Sequence, residues 1–123
     1  MGDTISKWDL EDRLIDFAIL IIDISESLPN TKAGNHLAGQ IIRSGTSPAL
    51  NYGEAQDAES NQDFIHKIKI ILKELRETFV ALKIIKKAEL YKNEDKLKIT
   101  LKENDELIEI FVATVKTARS RKK

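Results

Sequence analysis

The chain has 123 residues, enough for one domain that buries roughly two thirds of the surface its unfolded form exposes. Hydrophobic residues make up 41% and charged residues 33%, which suits a helix-rich protein of the aqueous phase and excludes global disorder. Cysteine is absent, which excludes a disulfide framework and a thiolate metal site and points to an intracellular, cytoplasmic setting.

The opening MGDTISKWDLEDR is acidic and carries neither the basic start nor the cleavage site of a signal peptide. The longest apolar run, Phe17 to Ile22, has six residues, against about 20 required to cross a bilayer. Formal net charge is zero but uneven. Residues 1–30 hold seven acids against two bases, a net of −5. Residues 61–93 hold four acids against eight bases, a net of +4, and the terminal KTARSRKK adds five bases and no acid. The balanced total argues against a dedicated nucleic-acid neutraliser, while the asymmetry leaves room for a local basic face.

In chain order, Leu10, Leu14, Phe17, Ile21, Ile24 and Leu28 step by four and three, which places them on one stripe of a first helix over about 9–28. Ile15, Ala18 and Ile22 widen that stripe, so this helix should face more than one neighbour. Trp8, just ahead of it, reads as a staple onto the bundle. Pro29 then disfavours helix at Leu28, and PNTKAG reads as a loop. Asn35 is the expected cap of a second helix over about 35–58.

That helix contains RSGTSPALNYGEAQ, a segment poor in helix formers. Pro48 removes one amide donor and clashes with the Ser44 carbonyl, which predicts a kink or break between Gly45 and Pro48. Ser44, Thr46 and Ser47 are suited to satisfy the freed backbone groups. Gly39 and Gly45 permit close backbone approach, as at a helix or subunit contact. Arg43, Asn51 and Glu54 read as an internal polar seam, serving the bundle or an oligomer interface.

SNQD, Ser60 to Asp63, has the form of a capping box and opens a third helix over about 61–90. Its seam is Phe64, Ile68, Ile71, Leu75, Leu82 and Ile85, with Thr78 in the one polar slot. Asn93 or Asp95 should cap a fourth helix over about 95–119, followed by a basic tail over 119–123. Its expected seam is Leu97, Leu101, Asn104, Ile108, Phe111, Val115 and Ala118, with Asn104 setting register. Four helices joined by short connections predict an all-α, antiparallel up-and-down four-helix bundle.

Chemistry-bearing motifs are sparse. DFIH, Asp63 to His66, is half of the pair used by di-metal carboxylate bundles, but the only other histidine is His36 and no second such motif exists. RSGTSP is neither a nucleophile elbow nor a phosphate loop. The expectation is a non-enzymatic protein with no cofactor and no metal.

One surface pattern is sharper. Lys69, Lys73, Arg76, Lys83 and Lys87 fall within about 80° of arc on the third helix, interrupted only by Val80. Such a row can follow a phosphate backbone through charge and counterion release. It also fits a solvated face paired with acids of a neighbouring helix, the acidic first helix being the obvious donor.

The stretch from Gln40 to Leu90 resembles the core signature of a small bacterial four-helix-bundle family, whose founding members are encoded within intervening sequences of large-subunit ribosomal RNA genes. The matching positions are Gln40, Arg43, Ser44, Ser47, Asn51, Tyr52 and Glu54 in the second helix, and Ser60, Asp63, Phe64, Leu72, Glu74 and Glu77 in the third. Pro48, Leu50 and Gly53 depart from the pattern and suggest a locally altered second helix. The resemblance implies an up-and-down fold and a ring-shaped homo-oligomer, pentameric in some relatives. It also relates the chain to accessory proteins of diversity-generating retroelements, a basic branch that associates with nucleic acid. The functional expectation is therefore a self-assembling bundle that binds RNA through the third helix. The alternative is a protein-interaction scaffold or retroelement accessory protein with no direct nucleic-acid contact.

Overall fold

Pro29 and the two residues before it end the first helix, because the pre-proline backbone is pushed out of the helical region. In the computed structural model, which describes residues 7–121, with side chains from Asp9 onward, that helix is α1, Lys7–Glu26. Trp8 therefore lies inside α1 rather than ahead of it, and its side chain is outside the described residues, as are Lys122 and Lys123 of the basic tail. Leu10, Leu14, Phe17, Ile21 and Ile24 are buried as the spacing predicts. Ile15 and Ile22 are not covered: together with Ile19 they stand exposed on the outer side of α1.

The second helix, α2, is Lys32–Gln56 and begins three residues before the expected start. Its cap is Thr31, not Asn35: Thr31 is extended and its Oγ1 accepts from the Gly34 amide at 3.0 Å. Gly34 allows this tight entry, since a Cβ there would fall 2.0 Å from the Pro29 carbonyl oxygen. Of the expected kink or break, no break occurs: α2 is one continuous helix with Pro48 buried inside it. Ser44 and Thr46 hydroxyls donate one turn back, to the carbonyls of Gln40 at 3.0 Å and Ile42 at 2.6 Å. Packing on both flanks holds the helix across the one missing bond. Gly45 faces Ile21 of α1, and Ser44 Oγ lies 2.7 Å from Thr78 Oγ1 of the third helix.

That third helix, α3, is Asn61–Lys87. Ser60 caps it by accepting from the Asp63 amide at 3.0 Å, while Asp63 accepts from the Glu59 amide at 3.4 Å. Two residues past its end stands Glu89, whose φ of 56° is left-handed. There the Leu90 amide donates to the Ile85 carbonyl at 3.0 Å and the Glu89 amide to Lys86 at 3.1 Å, a Schellman closure without glycine. The fourth helix, α4, is Glu94–Ser120, capped by Asn93 as one of the two expected caps. Its buried seam differs from the expected one: Thr100 and Leu107 are buried, and Leu101 and Ile108 are half-buried.

The four helices form a bundle in which each packs on its successor and α4 returns to α1. Neighbours run in opposite senses, as Ser44–Thr78 with Glu54–Lys67, and Asn61–Ala118 with Asn104–Leu75, require. The backbones of α1 and α3 do not meet, and the α1–α4 seam is the sparsest. Arg13 bridges it with a fork on Glu103, at 2.9 and 2.6 Å, and reaches Glu106 at 3.0 Å. Those bonds to Glu103 hold the Arg13 pKa above its already high ordinary value, against an opposing effect of burial. Asn104 is fully buried and donates to the Leu75 carbonyl at 3.1 Å, while its Oδ1 has no partner.

Candidate nucleic-acid interface

The outward face of α3 is built from residues the core leaves over. Ile68, Ile71, Leu75, Thr78, Leu82 and Ile85 turn inward, so at about 100° per residue Lys69, Lys73, Arg76 and Val80 must turn outward. They line an open trough of about 1070 Å³ that extends onto both flanking helices. From α2 it receives His36, Gln40 and Arg43, and from α4 Lys116 and Arg119. Its apolar floor includes Val80, Ile84 and Val112, which are 53%, 48% and 37% exposed.

Among the described residues, six cations, Arg43, Lys69, Lys73, Arg76, Lys116 and Arg119, thus line one basin together with a single acid, Glu77. Among the described residues none of the six takes part in an ion pair within 4.0 Å. The donor expected from the sequence is not in reach, because α1 stands diagonally opposite α3. With six bases against Glu77 on its lining, the face keeps a net positive charge available to an anion. Glu74, half-buried beside the trough, has its carboxyl pKa raised, first by burial and then by Glu77, although Lys73 and Arg43 pull the other way.

The five-residue stripe is exposed along α3 and borders two clefts. Lys83 and Lys87 line a separate cleft of about 550 Å³ with Lys86 and Lys102. Lys83 Nζ sits 4.7 Å over the Phe79 ring, a cation–π placement that holds it along the helix. Arg43, Lys116 and Arg119 were not assigned to this face from the sequence. Only the bundle brings α2 and α4 beside α3, and the one available signal was the run of bases near the C-terminus.

Arg43, Asn51 and Glu54 do not form one internal seam. Arg43 is exposed and donates to Gln40 Oε1 at 2.9 Å. Asn51 is half-buried and donates to Ser47, at 2.8 Å to Oγ and 3.2 Å to the carbonyl. Glu54 is exposed and pairs with Lys67 of α3 at 2.8 Å, and this bond raises the Lys67 pKa. His66 is exposed, and no group of three or more His, Cys, Asp or Glu able to hold a metal occurs among the described residues.

Gln40 with Arg43 and Ser44, Ser47 with Asn51, and Ser60 with Asp63 thus form a ladder of local bonds leading from α2 into α3. The family model described as 23S rRNA-intervening sequence protein matches residues 7–113, which take in three helices and most of the fourth. The chain belongs to this family. A solved structure is similar in architecture. It is described as a protein with unknown function from the S23 ribosomal protein family of Bacteroides thetaiotaomicron VPI-5482. The two are 31% identical, with a TM-score of 0.79 over 87% of this chain and 98% of that one. No match was found among curated proteins. Within the intervening-sequence family fold, the motif positions of this chain do structural work. Tyr52 packs edge-on against Phe111 at 5.8 Å, its phenol pKa pushed up by burial, and Ser44 joins α2 to α3. No helix of the described residues is long and apolar enough to cross a membrane.

Proposed function

We propose that this intervening-sequence family member is a non-enzymatic, cytoplasmic, self-assembling bundle that binds RNA through the basic trough of α3. One observation carries the reading: among the described residues, six cations from three helices converge on a basin lined by a single acid, and none of the six makes an ion pair. A trough of this kind takes up phosphates by displacing their counterions, and Lys and Arg side chains on an open surface read charge and shape rather than base identity. Structured RNA is the expected ligand, with affinity that depends steeply on salt and weakly on sequence.

The test is retention of a structured RNA at low ionic strength, followed as salt is raised. Lys73→Glu, Arg76→Glu and Lys83→Glu together should abolish retention, and Lys73→Glu with Arg76→Glu should account for most of the loss. If the unmodified protein retains no RNA at low salt, the RNA reading is wrong. The exposed floor residues Val80 and Ile84 favour a second use of the same face, in contact with protein.

A further inference from the structure

We infer that the two basic clefts are consecutive stretches of one track along α3 and α4, and that this track takes a double-helical RNA laid along its length. The register of the two helices sets the clefts end to end. Asn61 donates to the Ala118 carbonyl at 2.8 Å, and Asn104 to the Leu75 carbonyl at 3.1 Å. The α4 wall of the trough, Val112 to Arg119, therefore stands beside the first turns of α3. The α4 wall of the smaller cleft, Leu101 to Asp105, stands further along, beside the turns around Leu75. On α3 itself the exposed Lys69, Lys73 and Arg76 of the trough lead on to Lys83 and Lys87 of the smaller cleft.

Charge, length and the lack of a stacking platform select the ligand. Among the described residues, ten lysines and arginines line the two clefts against Glu77, Glu89 and Asp105, and none of the ten makes an ion pair. From Arg119, next to the Ala118 that Asn61 holds, to Lys87 the track covers about 40 Å of α3. That is far longer than a mononucleotide, and it matches about 13 base pairs at roughly 3 Å each. Grooves for single strands stack successive bases on aromatic rings. Here the one aromatic side chain lining either cleft, among the described residues, is Phe79, half-buried with Lys83 Nζ 4.7 Å over its ring. A double helix needs no such platform, because its bases are already stacked and its phosphates face outward, to be met by shape and charge.

Double-helical RNA as the ligand rests on the RNA reading of the trough, and three labelled RNAs separate the two claims by fluorescence anisotropy at low salt. They are a duplex of about 14 base pairs, a hairpin whose stem has about six, and an unstructured strand of about 14 nucleotides. The long duplex should bind at least about tenfold tighter than either of the others. Lys87→Glu with Lys102→Glu, both at exposed positions of the smaller cleft, should weaken the long duplex at least about tenfold and lower its salt slope by about two. The short hairpin, held by the trough, should lose less than about threefold. Lys87→Gln with Lys102→Gln should show the same selectivity at smaller size, and circular dichroism checks that both variants keep their helices. A single strand bound as tightly as the duplex overturns the inference, as does a variant that weakens hairpin and duplex equally or neither. Equal binding of all three RNAs sinks the duplex track and leaves the RNA reading standing, whereas a wild-type protein that binds none of them sinks both.

Discussion

Gly45 lies in α2 where α1 crosses it, and replacing it with alanine separates two opposing effects. In an open helix the change stabilises by about 0.5–1 kcal/mol, through the unfolded chain's lost freedom and better helix propensity. Here the added Cβ would fall 2.7 Å from Ile21 Cγ1, 2.8 Å from Cγ2 and 3.2 Å from Cβ. Ile21 is fully buried, and rotation of a β-branched side chain that meets the new methyl with both branches brings no relief. The helices must separate or Ile21 must leave its rotamer, at a cost of about 1–3 kcal/mol. The net expectation for Gly45→Ala is a destabilisation of about 0.5–2 kcal/mol. Gly39→Ala is the internal control, since nothing lies within 4 Å of its Cβ position, and it should stabilise by about 0.5–1 kcal/mol. Urea unfolding monitored by circular dichroism at one fixed protein concentration measures both, because assembly adds a concentration-dependent contribution. In an Ile21→Ala background, Gly45→Ala should turn stabilising, giving a coupling energy of at least about 1 kcal/mol. A Gly45→Ala protein as stable as the wild type would refute the close approach of α1 and α2.

Other substitutions test separate features. Glu89→Gly relieves the left-handed residue that closes α3 and should stabilise by about 1 kcal/mol; an unchanged urea midpoint would contradict it. Ser44→Ala alone or Thr78→Val alone should cost about 1 kcal/mol by breaking the buried hydroxyl pair, whereas the double change should cost less than the sum; strict additivity would count against the pair. Glu74 binds its proton more tightly in the folded state than in the unfolded one, so its favourable contribution is present below its ordinary pKa and is lost as pH rises through the raised folded value. Glu74→Gln should therefore stabilise at neutral pH, with the advantage shrinking toward pH 4; an advantage independent of pH would rule out this cause.

The buried stripes of α1 and α3 were legible in the sequence because their apolar spacing admits a single face. The seam of α4 was not: Leu101 and Ile108 are as apolar as Leu107, and the position of α3 decides which neighbouring row is covered. The start of α2 was hidden because Pro29 and Gly34 look like loop residues, and only the Thr31 bond to the Gly34 amide shows that the helix has begun. Pro48 was read correctly as a missing donor. Its local cost does not break a helix whose neighbours Ser44 and Gly45 are fixed by α3 and α1. The lysine row was visible as a row, but its division between two clefts depends on Phe79 and on Arg43 and Lys116, which periodicity along one helix does not reveal.

The seam between α1 and α4 has a consequence for how the bundle yields. Three of its four edges are closed by close helix packing, and the fourth relies on Arg13 with Glu103 and Glu106 and on Lys96 with Asp23. Added salt weakens exposed ion pairs of this kind and leaves apolar packing intact or strengthened. The molecule is thus bound like a book, with its spine at α2 and α3 and an ionic clasp at the fore-edge. High salt unfastens the clasp before it loosens the spine, and the amides of α1 facing α4 are the first whose hydrogen exchange should register it.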